Sequence, residues 1–300
     1  MKTILITGSN GLLGQKLIGL LHQEPNIKLI ASSRGSNKLA ELFPQVAFVP
    51  MDVANAEQVE QVITETQPTH IIHTAAMTNV DDCESQREEC WKQNVDAVEN
   101  LVKASERHGV HLIHVSTDFI FDGENGPYSE DAEGNPVNFY GQSKLAAEEL
   151  VKNAACKWAI LRTVLVFGIV HDYGRSNIVL WVKGSLEQGK QIKVVNDQLR
   201  TPTLAEDLAQ GCWLAAKHDA QGIFNISGEE LLTPYQMAVQ VADYFNLDKN
   251  LIEEVDGSIF TQPAKRPPRT GFDISKAKSQ LGYQPHTFKE SIAIVAEQIA

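Results

Sequence analysis

Positive charge, cysteine, aromatic residues and long apolar runs are all scarce in this 300-residue sequence, and each scarcity closes off a class of function. Lys and Arg number 26 against 38 Asp and Glu, a formal net charge of −12 at pH 7, so the chain as a whole repels polyanions. Nucleic acid and acidic membrane surfaces are therefore not expected partners. A small phosphate-bearing ligand stays compatible, because backbone amides and a few placed arginines bind one even on an acidic protein. The four cysteines, Cys83, Cys90, Cys156 and Cys212, form no CxxC pair and show no metal-ligand spacing. The chain opens MKTILITG, with no basic region, extended apolar core or cleavage site, and the expected compartment is a reducing cytoplasm. No run approaches the roughly eighteen apolar residues of a membrane span. What is present, 43% hydrophobic and 21% charged residues, suits one large globular domain or two that share a core.

Short β-rich apolar runs at Thr3–Thr7, Lys28–Ala31, Val46–Val49, His70–His73, His111–Val115 and Trp158–Leu161 alternate with longer helical patterns. Val59, Val62 and Ile63, and then Val95, Val98, Leu101 and Val102, recur at helical spacing, giving each segment one apolar stripe to lay on a sheet. The pattern predicts a doubly wound α/β fold of Rossmann type with a parallel sheet. After about residue 168 the rhythm breaks into loops. The helical stretch Leu204–Lys217 followed by Gly222–Ile226 reads as one more unit of the first sheet, 262–269 with its three prolines reads as a loop, and Phe288–Ile299 as a last helix. The expected division is a dinucleotide-binding domain at 1–167 and about 198–227, and a smaller discontinuous substrate-binding domain at about 168–197 and 228–300.

Gly8, Gly11 and Gly14 in TGSNGLLG stand between the first strand and a helix beginning near Leu12. Gly8 allows a tight turn, Gly11 lets the backbone approach a pyrophosphate, and Gly14 permits close packing of helix on strand, while the helix N-terminus offers amides to the anion. Asn10, Leu12 and Leu13 belong to the same expected cofactor turn. Where an NAD site places an acidic residue after the second strand, this chain reads Ala31-Ser32-Ser33-Arg34. A guanidinium with hydroxyl neighbours suits a 2′-phosphate, so NADP(H) is the expected cofactor, with Ser33 and Arg34 as its ligands. Asp52, followed by Val53, has two readings: a partner for the adenine, or an N-cap for the next helix.

Tyr140 and Lys144 are four apart in NPVNFYGQSKLAAEELV, on one face of a helix, and the fifth strand ends in Ser116-Thr117-Asp118, where hydroxyls face the ligand crevice of such a sheet. Reduction of a ketone needs a hydride donor, a proton donor for the developing alkoxide, and a second hydrogen bond that holds the carbonyl. Tyr140, Lys144 and Thr117 supply the last two. A phenol titrates near 10, so a neighbouring ammonium together with the positive charge of oxidised nicotinamide would be needed to bring Tyr140 down toward working pH.

These residues resemble the extended branch of the short-chain dehydrogenase/reductase superfamily along essentially the whole chain. Within it the sequence is similar to the dTDP-4-dehydrorhamnose reductases, in the segments TGSNGLLG, HTAAMTNVDDCE, NVDAVENLV, HVSTDFIFDG, GPYSEDAEGNPVNFYGQSKLAAEE, LRTVLVFG, VVNDQLRTPT and RPPRTGFDISK. The resemblance implies an NADPH-dependent reductase of a nucleotide-linked 4-keto-6-deoxy sugar, with Thr117, Tyr140 and Lys144 as catalytic triad and Asn94 in support. It implies Ala75, Ala76, Arg162, Thr163 and Val164 beside the cofactor, and Thr78, Val80, Asp118 and Leu165 toward the substrate. The family pattern has Gln where this chain has Leu12, and an aromatic where it has Leu165. The GLLG form is shared with the regulatory subunit of methionine adenosyltransferase, so a non-catalytic NADP-binding subunit is an alternative, as is a nucleotide-sugar epimerase. Related dehydratases carry a carboxylate pair after the threonine, whereas Asp118 is followed here by Phe119.

Asn177, Gln198, Arg200 and Arg266 are candidates for a nucleotide diphosphate, because guanidinium forks match phosphate oxygens. His70, His73, His111 and His114 lack helical metal-ligand spacing and read as strand-end histidines rather than metal ligands. Sequence alone leaves the oligomeric state open, a homodimer included.

Overall fold

The computed structural model describes residues 1–171 and 177–299. In chain order the elements are β1 (Lys2–Thr7), α1 (Leu12–Leu21), β2 (Ile27–Ser33), β3 (Ala47–Pro50), α2 (Ala56–Thr66), β4 (His70–His73), α3 (Val80–Ser85), α4 (Arg87–Trp91), α5 (Ala97–His108), β5 (His111–Thr117), α6 (Phe139–Lys152), β6 (Trp158–Thr163) and β7 (Val166–Phe167). There follow α7 (Ile178–Glu187), β8 (Ile192–Val195), β9 (Thr203–Leu204), α8 (Ala205–Lys217), β10 (Gly222–Asn225), α9 (Pro234–Phe245), β11 (Ile252–Val255), α10 (Ser275–Leu281) and α11 (Phe288–Ile299). All six apolar runs are thus strands, with ends within two residues of the runs.

A seven-stranded parallel sheet has the order β10-β6-β5-β4-β1-β2-β3. The strand order reverses between β1 and β4, which opens a crevice at their carboxyl ends. β1 shows why the sheet is buried on both faces: Ile4 and Ile6 enter one apolar cluster with α1 and α8, while Leu5 between them enters the other with α2 and α5. Alternate side chains point to opposite faces of a strand, so a strand covered on both sides reads as an unbroken apolar run. The stretch after residue 203 rejoins this architecture, because α8 packs on α1 and β10 pairs with β6 in parallel.

A third apolar cluster lies outside the sheet. Phe167, Val179, Val182, Leu186, Ile192, Val194, Met237, Val241, Ile252, Phe288, Ile292 and Val295 pack together from α7, α9, α11 and the short parallel pair β8–β11. Among the described residues no helix is long and apolar enough to cross a membrane.

Candidate active site

The glycine turn connects β1 to α1 across the crevice from the segment after β4. Gly8 has φ +71°, and a Cβ there would lie 2.7 Å from Ala75 N, so only glycine fits both the left-handed backbone and the approach. A Cβ on Gly14 would press into Gly8 O and Ser9 Cα, which is how α1 comes so close to the strand. Gly11 N-caps α1 without a side-chain hydrogen bond and the first turn holds no acidic residue, leaving amides of Leu12 and Leu13 for an anion. Asn10 ties this turn to the end of β2, donating from Nδ2 to Ser33 Oγ at 2.6 Å and to Ser36 O at 2.9 Å. Arg34, next to Ser33, is exposed.

Asp52 is not the helix cap that one reading expected. Asn55 caps α2, accepting from Glu57 N and Gln58 N, and Asp52 accepts from Ala54 N at 3.0 Å, because the turn before α2 is three residues longer than the run of apolar residues suggests. Val53 is buried, Ala75 half-buried and Ala76 exposed. Thr163 and Val164 are buried where β6 ends, and Thr203 links them: its Oγ1 donates to Val164 O at 2.6 Å and accepts from Thr163 at 3.3 Å.

Thr117 and Tyr140 meet at the carboxyl end of β5. Thr117 caps a short turn at 118–120, accepting from Phe119 N at 3.2 Å and donating to Asp118 Oδ1 at 3.1 Å. Gly141 lets the first turn of α6 approach: a Cβ there would strike Phe119 O. Asn138 caps α6 and also donates to Lys265 O at 2.8 Å, and the Phe119 and Tyr140 rings pack edge to face at 5.8 Å. A turn of π-helix at Lys92–Asp96 buries Asn94, which brackets Met77 through both N–H and C=O and donates to Ser143 Oγ at 3.0 Å. Ser143 in turn donates to Tyr140 O. Asn94 thus braces the helix that carries Tyr140.

The electrostatics of the pair follow from burial. Burial pushes the Tyr140 phenol well above its ordinary value, the Asp118, Cys83 and Cys90 groups add to the rise, and a hydrogen bond with Thr117 opposes it. Lys144 Nζ is bonded to the strand, at 2.8 Å from Val115 O and 3.2 Å from His114 Nε2. Burial brings Lys144 down to about 8 against the pull of Glu148 and Cys90. Asp118 is buried beside Thr117, accepts from Thr270, and lies 3.8 Å from Arg200 Nε; burial raises its carboxyl, with Arg200 opposing.

The candidate diphosphate ligands are differently engaged. Arg200 is buried and spends its guanidinium on Leu199 O, Pro267 O and Pro268 O, so it holds the proline loop. Arg266 forms a fork with Asp81 at 2.6 and 2.7 Å. Asn177 is the N-cap of α7, accepting from Val179 N and Leu180 N and donating to Gly168 O, so its side chain serves the start of that helix. Gln198 and Val80 are half-buried and Thr78 is exposed. Leu165 is 41% exposed at a φ of +38°.

Of three buried groups around the site, the sequence placed Arg162 beside the cofactor, read His114 only as a strand-end histidine and passed over Thr270. Arg162 lies wholly buried in a bidentate pair with Glu148 and donates to Glu130 O; the signal was a charge in an apolar strand facing a glutamate one turn beyond Lys144. Thr270 carried no such signal. At the opposite end of the sheet His70, His111 and Asp219 bring three ligand atoms within 4.8 Å of one another, and the Lys2 ammonium sits among them, 2.7 Å from Asp219 and 3.3 Å from His70 Nε2.

The full length of the chain, residues 1–300, matches the RmlD substrate binding domain. It belongs to that family. The chain is 30% identical to the dTDP-4-dehydrorhamnose reductase of Aggregatibacter actinomycetemcomitans, over 97% of each. It is 32% identical to methionine adenosyltransferase 2 subunit beta of Rattus norvegicus, over 93% of this chain and 82% of the relative. Among solved structures it is similar to the dTDP-4-dehydrorhamnose reductase of Bacillus anthracis in complex with NADP, with a TM-score of 0.85, 27% identity and 99% of both chains covered.

Proposed function

We propose that this chain is an NADPH-dependent reductase of a nucleotide-linked 4-keto-6-deoxy sugar, the substrate of the dTDP-4-dehydrorhamnose reductases, acting in the cytoplasm. One observation carries the reading: the Thr117 hydroxyl lies beside the buried Tyr140 phenol at the end of β5, with Lys144 one helical turn on and bonded to the same strand. The similarity to reductases of that name supports it.

The cofactor turn fits a dinucleotide, since the uncapped first turn of α1 and the glycine cradle leave amides free for a pyrophosphate, and exposed Arg34 beside Ser33 suits a 2′-phosphate. Bound there, the reduced nicotinamide supplies the hydride. Tyr140 delivers the proton to the alkoxide oxygen, and its raised phenol stays protonated at neutral pH, which is the form that reduction requires. Thr117 holds the carbonyl by a hydrogen bond, and the Lys144 ammonium stabilises the phenolate that proton delivery leaves behind. We assign residues 1–167 and about 198–227 to cofactor binding and 168–197 with 228–300 to the sugar nucleotide; the separate third apolar cluster supports that division.

A second reading, a cofactor-binding subunit without turnover, takes support from the similarity to methionine adenosyltransferase 2 subunit beta. Loss of NADPH absorbance across a panel of 4-keto nucleotide sugars separates the two. The reductase reading expects turnover in the wild type and a fall of about 10²-fold or more in Tyr140→Phe, with NADPH binding nearly unchanged. Binding of NADPH without turnover on any sugar would favour the second.

A further inference from the structure

Beneath Lys144 lies a buried group that the mechanism leaves unused. His114 is fully buried on β5, with Nε2 3.2 Å from Lys144 Nζ. An ammonium has no lone pair, so the imidazole must accept at Nε2 and carry its own proton on Nδ1. Among the described residues Nδ1 has no hydrogen-bond partner. The ring stacks instead on His73, centroids 5.5 Å apart, because the β4–β5 register sets these two residues side by side. His73 Nδ1 meets Thr7 Oγ1 at 2.7 Å. A buried imidazole with an unpartnered N–H costs stability that an apolar side chain would not, so the contact to Lys144 is what this arrangement gains.

We propose that His114 is a positioning residue, a neutral acceptor that together with the Val115 carbonyl fixes the Lys144 amine at the floor of the site and favours its charged form. The proposal rests on the reading of Lys144 as part of the reductase machinery. Burial and the charge of Lys144 hold His114 well below its ordinary value, so it stays neutral wherever the lysine is charged. Burial has already brought Lys144 to about 8, where one acceptor gained or lost changes its charge within the working pH range. The titratable groups around Lys144 are His114 of β5, His73 of β4, Cys90 of α4, and Glu148 and Tyr140 one turn away in either direction on α6. Of these, His114 alone makes a side-chain hydrogen bond to Nζ among the described residues.

The test uses His114→Phe, which keeps a ring against His73 without an acceptor, His114→Leu as a second variant without one, and His114→Gln, which restores an acceptor. Lysine side chains labelled with 13C at Cε report the Lys144 titration by NMR, assigned with Lys144→Met, and need no turnover. The expected result is a Lys144 pKa lower by about one unit in the Phe and Leu variants and largely restored in Gln. In parallel the basic limb of the kcat profile moves down by a similar amount in Phe and Leu, more than KM for the sugar nucleotide changes. An unchanged Lys144 titration in both Phe and Leu overturns the proposal. A shifted titration in a protein that reduces no sugar supports the contact while overturning the reductase reading, so the two failures are told apart.

Discussion

Arg34, Arg200 and Arg266 look alike as letters, yet their surroundings give them different work. Arg200 is buried against three carbonyls and Arg266 is clamped to Asp81, while Arg34 is exposed at the end of β2 beside the Asn10–Ser33 tie. Among the described residues the Arg34 guanidinium has no hydrogen-bond or ion-pair partner, so its charge is there to offer a ligand. Arg34→Asp is expected to lower the NADPH-to-NADH ratio of kcat/KM by about tenfold or more, since a cation facing the 2′-phosphate becomes an acceptor for a free hydroxyl. The melting temperature should hold, because an exposed substitution away from buried features changes stability by about 0.5 kcal/mol or less. Steady-state kinetics with both cofactors decide it, and an unchanged ratio would place Arg34 outside the cofactor site.

Helix α6 carries Tyr140, Lys144 and Glu148 at successive turns, so one stripe of the helix holds a proton donor, an ammonium and a buried carboxylate. The last of these is structural. Glu148 and Arg162 are both essentially without solvent contact and joined by three hydrogen bonds. Removing one partner leaves the other charge buried and uncompensated, so Glu148→Ala should destabilise the protein by about 3 kcal/mol or more. Replacing both, as Glu148→Met with Arg162→Met, should recover most of that loss, because an apolar pair of similar volume carries no desolvation penalty. Urea unfolding of the single and double variants checks both statements; a single variant within about 1 kcal/mol of wild type would contradict them.

Across the sheet, four histidines at β4 and β5 tie stability to pH. Unfolded histidines titrate near 6.5, but burial holds His73 at about 3 and His111 at about 4, puts His114 well below its ordinary value and lowers His70. As pH falls below about 6.5 the unfolded chain takes up protons that the folded chain refuses. The stability these groups contribute is therefore complete above about 6.5 and is lost progressively toward pH 4, at up to about 1.4 kcal/mol per pH unit for each histidine. Asp118 and Asp207, raised by burial, act in the opposite sense nearer the carboxylate range and blunt the loss there. The urea midpoint should drop clearly between pH 7 and pH 5; a midpoint that stays level would mean these imidazoles accept protons in the folded state.

The order of strands and helices around the sheet was legible in the sequence, because a parallel strand covered on both faces must be apolar throughout and a crossover helix must show one stripe. The glycine turn was legible for a similarly local reason: positive φ at Gly8 and the contact of Gly14 with its own turn arise within eight residues. The pairing of Tyr140 with Lys144 followed from helical spacing alone. Nothing local, however, places Asp81 on Arg266, Thr270 on Asp118, or His114 under Lys144, contacts that span 185, 152 and 30 residues. The same holds for the phenol, which burial raises. Burial and the direction of an ammonium's hydrogen bonds depend on what packs from other elements, so spacing determined which groups share a face while tertiary packing decided their protonation and which charges remain free to meet a ligand.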